Sequence, residues 1–387
     1  MQNKKKESIF RNLDWPIVLL ALGLVLFGFV AIANATLQPL TGDEQSLADI
    51  FEKVNWPTLR SQMLFFGIGT AGAVAICCFD IHLFGRFSNA LMALAVLLLA
   101  LVLTQPPINN SRSWFKITET MTFQPSEVGK LALIVALAHR MSRGEKPPSR
   151  VIDLLKLLPW LLVPVGLIAI QPDYGSALVY TFTFIGMLFM SGMSIKLFIG
   201  FLSSCALTVV PLWFLMPARA QERILVFLNL SSSSASVYQT EHARIAVGSG
   251  QFWGKGFFTK GALSQLNYVP EKHNDFIFSV TAEAIGFFGC VLLVAAFALL
   301  FWRMLRVASV AQDRYTRLIV SGVVSMMLFH VFENIAMNIG LMPVTGIPLP
   351  FISAGGSNLI TNLMAIGLVL NAKLRKPPKG VFDLPAP

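Results

Sequence analysis

The chain has few charged residues for its length, and this scarcity is the first feature that limits its class. Only 13% of its 387 residues are Asp, Glu, Lys or Arg, whereas 55% are hydrophobic. Soluble domains average about 25% charged residues. Mean hydropathy is +0.66. The composition therefore argues against an ordinary soluble enzyme and predicts an all-α polytopic membrane protein.

Residues and motifs that support common soluble-enzyme chemistry are also scarce. The four cysteines lie in apolar runs without metal-ligand spacing, so neither a disulfide framework nor a zinc site is expected. The five histidines show no zinc spacing either. P-loop, H-E-x-x-H and G-x-S-x-G motifs are absent from the sequence. A nucleophilic serine is unsupported, and no metal site is predicted from the side chains.

Long apolar runs are what the chain has in abundance. Because a helix needs about 20 apolar residues to cross a bilayer, the runs predict about ten transmembrane helices in one domain covering 1–387. The first run is too long for a signal peptide and lacks a clear cleavage site, so we expect it to remain as the first span. The predicted spans are approximately 15–36, 61–79, 88–104, 126–141, 155–171, 175–193, 195–216, 276–302, 318–341 and 358–372.

The basic residues predict how these spans are oriented. Most of the 30 Lys and Arg residues fall on one side if the N-terminus is inside. The positive-inside rule then predicts two cytoplasmic tails, 1–14 and 373–387. The segment 217–275, between the seventh and eighth spans, becomes one long extracytoplasmic loop. The net charge of +10 is thus a topology signal, and no binding to nucleic acid is predicted.

The boundary between this loop and the eighth span is the strongest local candidate for chemistry. At 3.6 residues per turn, one stripe of a helix contains Asp275, Ser279, Glu283 and Gly286. Acidic groups that enter a bilayer are expensive and should face protein or a water-filled cavity. A structural alternative stays open at this point, because Asn274 or Asp275 could simply cap the helix.

Further polar groups interrupt other apolar runs. Glu127 and Lys130 lie three residues apart on one helical face, where an ion pair would make both tolerable and would imply a polar cavity. Asp173 occupies a Pro/Gly break between two spans, where turn chemistry alone also accepts an aspartate. In the ninth predicted span, His330 and Glu333 share a face with two asparagines that are expected to form interhelical hydrogen bonds.

Four segments are predicted to lie on the outward side. Residues 37–60 are expected to form an ordinary loop. Residues 105–126, with Trp114, mix aromatic and charged side chains and predict an interfacial helix or a re-entrant piece. The 217–275 loop contains a glycine-rich stretch, and its length indicates a functional role. A Pro/Gly-rich segment ending at Ser357 predicts irregular backbone that lines a cavity.

Together these motifs resemble the SEDS family of polytopic cell-wall proteins, RodA and FtsW. They occur in the family's order and cover essentially the whole chain. The element G-K-G-x(7)-S-Q-L and the short N-terminal tail are more similar to RodA than to FtsW. The matching stretches are S-W at Trp114, Q-P-S-E-V-G-K, Q-P-D-Y-G-S-A, G-S-G-Q-F-W-G-K-G, V-P-E-K-H-N-D-F-I-F-S followed by A-E, and L-M-P-V-T-G-I-P-L-P-F-I-S-A-G-G-S.

The resemblance implies a peptidoglycan glycosyltransferase that polymerises lipid II during cell elongation and maintenance of cell shape. It implies a multi-pass protein of the bacterial cytoplasmic (inner) membrane, with its active site on the extracytoplasmic side. Asp275 matches the family's essential aspartate, and because the reaction inverts an α-linked donor to a β-1,4 product, it is expected to be the general base. The expected substrate-binding residues are Trp114, Gln124, Glu127, Lys130, Asp173, Lys255, Lys272, His273, Glu283 and Ser357.

The departing diphosphate needs positive charge, because stabilising developing charge is often the largest catalytic term. Lys255, Lys260, Lys272, Arg244 and Lys130 are candidates, and a divalent cation is another. The expected partners are lipid II, membrane lipids, a class B penicillin-binding transpeptidase of the PBP2 type and other proteins of the elongation complex. Three alternatives stay open: a lipid II flippase or transporter, a division-specific FtsW-type polymerase, and a non-catalytic scaffold.

Some positions depart from the family's pattern. The aspartate motif usually reads H-T-D, but Asn274 stands in its middle here. Ala284 replaces the second residue of a Glu pair, and Ala354 replaces a frequent Tyr before G-G-S. Asn110 and Thr122 differ from the family in the second outward segment. Roles are therefore hardest to transfer in that segment, which includes Trp114.

Overall fold

A computed structural model of the chain describes residues 13–40, 47–108, 111–118, 121–144, 147–228, 230, 235–264, 268–269 and 271–374. These residues form α-helices, a 3₁₀ turn at Val102–Thr104 and one two-stranded sheet. The helices are α1 (Trp15–Ala35), α2 (Leu47–Glu52), α3 (Trp56–Cys78), α4 (Ile81–Arg86), α5 (Ser88–Leu101), α6 (Pro125–Ser142), α7 (Val151–Ile170), α8 (Tyr174–Met190), α9 (Ile195–Leu215), α10 (Ala218–Phe227), α11 (Ala235–Ser249), α12 (Ile277–Ser309), α13 (Arg314–Asn338) and α14 (Gly356–Leu374).

The helices agree with the predicted membrane-spanning runs. Each predicted span overlaps one helix, in the order α1, α3, α5, α6, α7, α8, α9, α12, α13 and α14. Five of these, α1, α3, α7, α12 and α13, are long and apolar enough to cross a bilayer by length and composition. The all-α, multi-pass fold is therefore confirmed, while the number of crossings and the orientation remain predictions.

The centre of the bundle is formed by α6, α13 and α14, which are buried along most of their length. α14 packs closely on α3, because a Cβ atom added at Gly367 would lie 2.7 Å from the Cα of Ala73. Small residues permit such close helix packing in membranes. At the end of α3, the side chain of Asn371 donates to the carbonyl oxygens of Ile76 (2.7 Å) and Phe79 (3.0 Å). These bonds satisfy backbone groups that a helix end leaves free.

α12 is broken, although its sequence predicts one continuous run from 276 to about 302. Gly286 has φ 66° and ψ −173°, which is not helical. The glycine-rich stretch 250–256 lies against the break and supplies backbone partners there. Lys255 N donates to Glu283 O (2.9 Å), and Phe287 N donates to Gln251 O (2.9 Å). Such pairing is what a membrane protein requires where a helix is interrupted.

A buried carboxylate joins three helices at the predicted cytoplasmic end. Asp14, directly before α1, accepts a hydrogen bond from Lys373 of α14 (2.6 Å) and another from Arg303 of α12 (3.1 Å). Burial raises the pKa of the Asp14 carboxyl, but the hydrogen bonds and charges of the two cations outweigh burial and hold the pKa below its usual value. This Asp14 clasp connects the two ends of the described chain.

The segments predicted to face outward contain more regular structure than the sequence predicts. Residues 37–60 include α2 and the first turn of α3. The 217–275 segment includes α10 and α11. In the second segment, β1 (Phe115–Lys116) pairs with antiparallel β2 (Thr122–Phe123). The predicted interfacial helix is wrong for these residues, because aromatic and β-branched side chains favour a paired strand. The alternative of a re-entrant piece stays a prediction.

Candidate functional site

The site is organised by an irregular segment, residues 341–355, between α13 and α14. Asn334 donates from its side-chain nitrogen to Ile347 O (2.7 Å) and to the backbone oxygen of Asp275 (2.8 Å). Asn338 also donates to Asp275 O, at 3.1 Å, and its own side-chain oxygen accepts from the Ser279 hydroxyl at 2.6 Å. The predicted interhelical hydrogen bond is confirmed for Asn338, whose partner Ser279 belongs to α12, whereas Asn334 bonds backbone outside the helices. Both asparagines fix the backbone that carries Asp275.

The same segment holds the residues that precede Asp275. The Ser353 hydroxyl donates to Asn274 O (2.7 Å), and Ala354 N donates to His273 O (2.9 Å). The backbone from 273 to 275 is therefore bound on both sides, by the irregular segment and by α13. This fixation sets the position of the Asp275 side chain at the beginning of α12.

The carboxylate of Asp275 itself receives no hydrogen bond from any residue that the structure describes. It lies beside Gly346, where an added Cβ atom would be 3.3 Å from Oδ2. Gly346 has φ +81°, a conformation that glycine adopts easily. The helix-capping alternative is wrong, because the N-cap of α12 is Phe276 and no side chain caps this end. The backbone of this acid is thus held in place, while its carboxylate accepts no hydrogen bond from a described residue.

The surroundings of Asp275 raise the pKa of its carboxyl toward neutrality. The pKa of the half-buried Asp275 is raised to about 7, chiefly by burial, and the negative charges of Glu271 and Asp173 act in the same direction. The positive charge of Arg223 acts in the opposite direction. A general base is most effective when its pKa lies near the working pH. An Asp with an ordinary pKa of about 3.9 would be a much weaker base.

A second acid, Asp173, lies on the neighbouring wall. It is the N-cap of α8 and accepts from Ser176 N (3.1 Å), and Gln124 donates to its other oxygen (2.8 Å). The backbone nitrogen of Gln124 donates to the hydroxyl of Ser357 (3.0 Å). Burial raises the pKa of Asp173, although these hydrogen bonds oppose the rise. Three predicted site residues, Gln124, Asp173 and Ser357, are therefore brought together.

The start of α8 also contacts the irregular segment. A Cβ atom added at Gly175 would lie 2.9 Å from the backbone oxygen of Thr345, which precedes Gly346. The start of α8, which Asp173 caps, and Asp275 therefore both lie against the short stretch 345–347, and the charge of Asp173 acts on Asp275. The structure thus brings both predicted acids to one site, and Glu333 contacts the same stretch because Thr345 donates a hydrogen bond to its carboxylate.

Glu127 and Lys130 form the predicted ion pair deeper in the bundle. The Lys130 Nζ atom lies 2.8 Å from Glu127 Oε1, and both side chains are almost fully buried. Asn358 donates to the other Glu127 oxygen (3.2 Å), and Lys130 also contacts His330 Nε2 at 2.9 Å. The pairing interpretation is confirmed for these two charges. Their predicted contact with substrate remains a prediction.

Lys255 and Glu283 are also paired with each other. Lys255 Nζ lies 2.7 Å from Glu283 Oε1, and the same carboxylate accepts from Leu263 N (2.8 Å) and Ser264 N (3.0 Å). This pair binds the 249–264 stretch to the broken turn of α12. In the structure the two residues therefore fix a loop, and their predicted role in binding substrate stays a prediction.

The remaining predicted residues are Lys272, His273 and Trp114. Lys272 donates to Ser264 O, and burial lowers the pKa of both Lys272 and His273. Trp114 is half-buried directly before β1. Among the described residues, no group of three or more His, Cys, Asp or Glu side chains could hold a metal ion.

A family model described as a cell cycle protein, that of FtsW, RodA and SpoVE, matches residues 14–377. The chain belongs to the SEDS family. This membership covers the whole described bundle and confirms the resemblance drawn from the motifs.

Individual SEDS relatives are similar over nearly the full chain. The probable peptidoglycan glycosyltransferase FtsW of Nitrosomonas europaea is 32% identical over 363 residues, covering 92% of this chain and 89% of that protein. The peptidoglycan glycosyltransferase MrdB of Escherichia coli K12 is 30% identical over 372 residues, covering 95% of both. Both relatives carry the name of the same enzyme class.

Solved SEDS structures have the same fold. A chain from a peptidoglycan synthase complex, described as coordinating polymerization and crosslinking, matches with a TM-score of 0.75 and 29% identity over 93% of this chain and 97% of that one. The rod shape determining protein RodA of Thermus thermophilus matches with a TM-score of 0.67 and 29% identity, over 93% and 96% of the two chains.

Sequence reasoning on this SEDS chain missed Arg223 as a site residue. It lies in α10, and its charge acts on Asp275, yet it is absent from the candidate cations named above. The available signal was the pattern A-R-A-Q-E-R-I-L-V-F, which is typical of a short amphipathic helix rather than a loop. Recognising that helix would have drawn attention to its basic residues.

Proposed function

We propose that this SEDS protein is a peptidoglycan glycosyltransferase that polymerises lipid II, with Asp275 as the general base. One observation carries the assignment: a carboxylate with fixed backbone, no described hydrogen-bond donor and a pKa of about 7 lies outside the helical span. The enzyme class printed for the N. europaea and E. coli relatives supports the same reaction.

The proposed reaction is a single inverting displacement. Asp275 accepts the proton of the 4-hydroxyl group on the acceptor sugar, and that oxygen forms a bond to C1 of the donor sugar. The bond between C1 and the donor diphosphate breaks, and its electron pair leaves with the lipid diphosphate. Attack from the face opposite the diphosphate converts an α-linked donor into a β-1,4 product.

Arg223 is the cation that we propose for the leaving diphosphate. It is exposed, and its charge reaches Asp275, so one cation could lie near both the base and the phosphates. Lys130 and Lys255 are less suitable, because each is already paired with a carboxylate. Preorganised positive charge at a departing phosphate stabilises the transition state. Gln124, Asp173 and Ser357 are proposed to line the wall that positions the acceptor.

The proposed setting is the bacterial cytoplasmic membrane, with the Asp275 side facing outward. The positive-inside distribution supports this orientation. The similarity to a chain from a synthase complex that couples polymerization with crosslinking supports a class B penicillin-binding transpeptidase as the partner. On the basis of the G-K-G-x(7)-S-Q-L element, we propose a role in cell elongation, as for RodA. A role in division, as for FtsW, is the alternative.

The decisive experiment is polymerisation of lipid II by the purified protein in detergent, alone and with a candidate transpeptidase. Asp275→Asn should lower the rate by roughly 10²–10⁴-fold, the usual contribution of a general base. Its thermal unfolding should match that of the parent protein. Glu271→Gln is the matched control, because it removes a neighbouring exposed carboxylate and should retain polymerisation. Polymer of normal length and yield from Asp275→Asn would refute the assignment.

The same assay separates polymerase from flippase. Detergent micelles have no second compartment, so a transporter would produce no glycan under these conditions. A scaffold would also produce none. Of the three hypotheses, only the polymerase therefore predicts glycan synthesis by the parent protein.

A further inference from the structure

A basic cavity lies at the end of the bundle opposite Asp275. It has a volume of about 450 Å³ and is formed where α6 ends and α7 begins. Four of its lining side chains are cationic: Arg140, Arg143, Arg150 and Lys156. The proposed glycosyltransferase reaction uses none of them.

The single described carboxylate that lines this cavity does not neutralise it. Asp153 accepts hydrogen bonds from the backbone nitrogens of Ser149 (3.2 Å) and Arg150 (3.1 Å), and so caps α7. Among the described residues, no ion pair is formed by Arg143, Arg150 or Lys156. A concave site with such excess positive charge attracts anions strongly.

Arg140 gives the cavity a fixed wall. Its guanidinium lies 3.7 Å from the ring centroid of Trp160, and one terminal nitrogen donates to Asn89 Oδ1 (3.2 Å). Its Nε atom is buried and has no hydrogen-bond partner among the described residues. The N-terminus of the 20-residue helix α7 lies in the same wall and adds the positive end of its dipole. These features fit a phosphate group, whose oxygens accept several hydrogen bonds.

The surface beside the cavity is apolar. Val151, Ile152 and Leu155 of α7 are 60%, 51% and 52% exposed, although they belong to an apolar helix. In a bilayer these side chains face lipid chains. A ligand with a phosphate head and hydrocarbon chains would therefore match both the cavity and its flank, whereas a free phosphate would match only the cavity.

We propose that this cavity binds the phosphate headgroup of an anionic glycerophospholipid whose acyl chains lie along α7. Basic pockets between membrane helices are suited to such headgroups. The binding itself does not depend on the proposed catalytic function. The orientation proposed above places this cavity at the cytoplasmic leaflet, and only that placement rests on it.

The test uses the purified full-length chain in nanodiscs of phosphatidylcholine with increasing phosphatidylglycerol. Bound lipid is counted by native mass spectrometry after release. Arg143→Gln should weaken phosphatidylglycerol binding roughly fivefold, and Arg143→Gln with Lys156→Gln about thirtyfold, since each charge near the surface contributes a similar increment. Both residues are exposed, so both variants should unfold at the parent temperature.

Lys196→Gln is the matched control, because Lys196 is an exposed cation at the start of α9 that does not line the cavity. It should leave phosphatidylglycerol binding unchanged. An equal loss of phosphatidylglycerol binding in the control would overturn the proposal. It would mean that surface cations attract anionic lipid without a specific site. Displacement of the lipid by millimolar inorganic phosphate, with phosphate binding as tightly as the lipid, would also overturn it in favour of a soluble anion site.

Discussion

Asp275 lies just before α12 and Glu283 lies in its first turns, yet the two carboxylates have opposite surroundings. The Glu283 carboxylate accepts from one lysine side chain and two backbone nitrogens. The Asp275 carboxylate accepts from no described residue, although its backbone oxygen is held by Asn334 and Asn338. A fully paired acid fixes structure. An acid with fixed backbone and unpaired oxygens is available for proton transfer.

The hydrogen bonds of Glu283 depend most on the break in α12. A Cβ atom at Gly286 would lie 2.2 Å from Gly254 N, and φ is +66°. Because backbone atoms cannot move aside, Gly286→Ala should lower the free energy of unfolding by about 4 kcal/mol. Thermal unfolding in detergent measures this. Gly200→Ala, a helical site with open space around it, should have little effect.

If Gly286→Ala were as stable as Gly200→Ala, the glycine-rich stretch 250–256 would not hold the break. Asp275 would then owe its position to α13 and the irregular segment alone.

Glu283→Gln tests the paired acid directly. The amide keeps one acceptor oxygen, but its NH₂ group would face a backbone N–H of Leu263 or Ser264, so a buried donor loses its partner. The expected loss is about 2–3 kcal/mol in the free energy of unfolding. Lys255→Met should cost about 1 kcal/mol, because the two backbone donors remain. Chemical unfolding curves of the two variants compare these losses, and equal losses would contradict the account.

The unpaired acid predicts a pH dependence. Because the pKa of Asp275 is about 7, polymerisation should rise as pH increases through that value, where the carboxylate loses its proton. Arg223→Gln removes a charge that lowers this pKa, so its profile should shift to higher pH. Glu271→Gln removes a charge that raises it, so its profile should shift to lower pH. Initial rates between pH 5 and 9, roughly two units on either side of this pKa, measure both shifts.

Two profiles that move in the same direction would contradict Asp275 as the titrating base. A rate that is independent of pH near neutrality would contradict it as well. Activity lost in Arg223→Gln without a shift would still support Arg223 as a cation for the diphosphate.

Much of the bundle could be predicted because apolar runs report directly on helices in a membrane protein. The predicted spans all overlap helices, and the Glu127–Lys130 pair follows from helical spacing alone. The break at Gly286 could not be predicted, because hydropathy is continuous across it and the partner stretch 250–256 is distant in sequence. Non-local backbone pairing leaves no periodic signal.

In the site, too, features with a local sequence signal could be predicted and features formed by non-local contacts could not. Asp275 could be found because an acid at a polar-to-apolar boundary is locally conspicuous. Its neighbours Asp173 and Glu333 are distant in sequence and are brought near it by packing against the irregular segment 341–355. Arg223 lies in α10, within a segment that the sequence predicts to be a loop. The capping hypothesis was wrong because α12 begins one residue later than an Asp275 cap requires. The β1–β2 hairpin was missed because strands this short carry almost no alternation.

The Asp14 clasp has a consequence for biosynthesis. Its carboxylate and the amino group of Lys373 are 359 positions apart along the chain. At a translation rate of roughly 5–20 residues per second, the first helix waits roughly 20–70 seconds for this partner. The ring of α1, α12 and α14 can therefore close only after Lys373 has been synthesised. Until then Asp14 has only water or Arg303 beside it, and the nascent bundle remains open at that end.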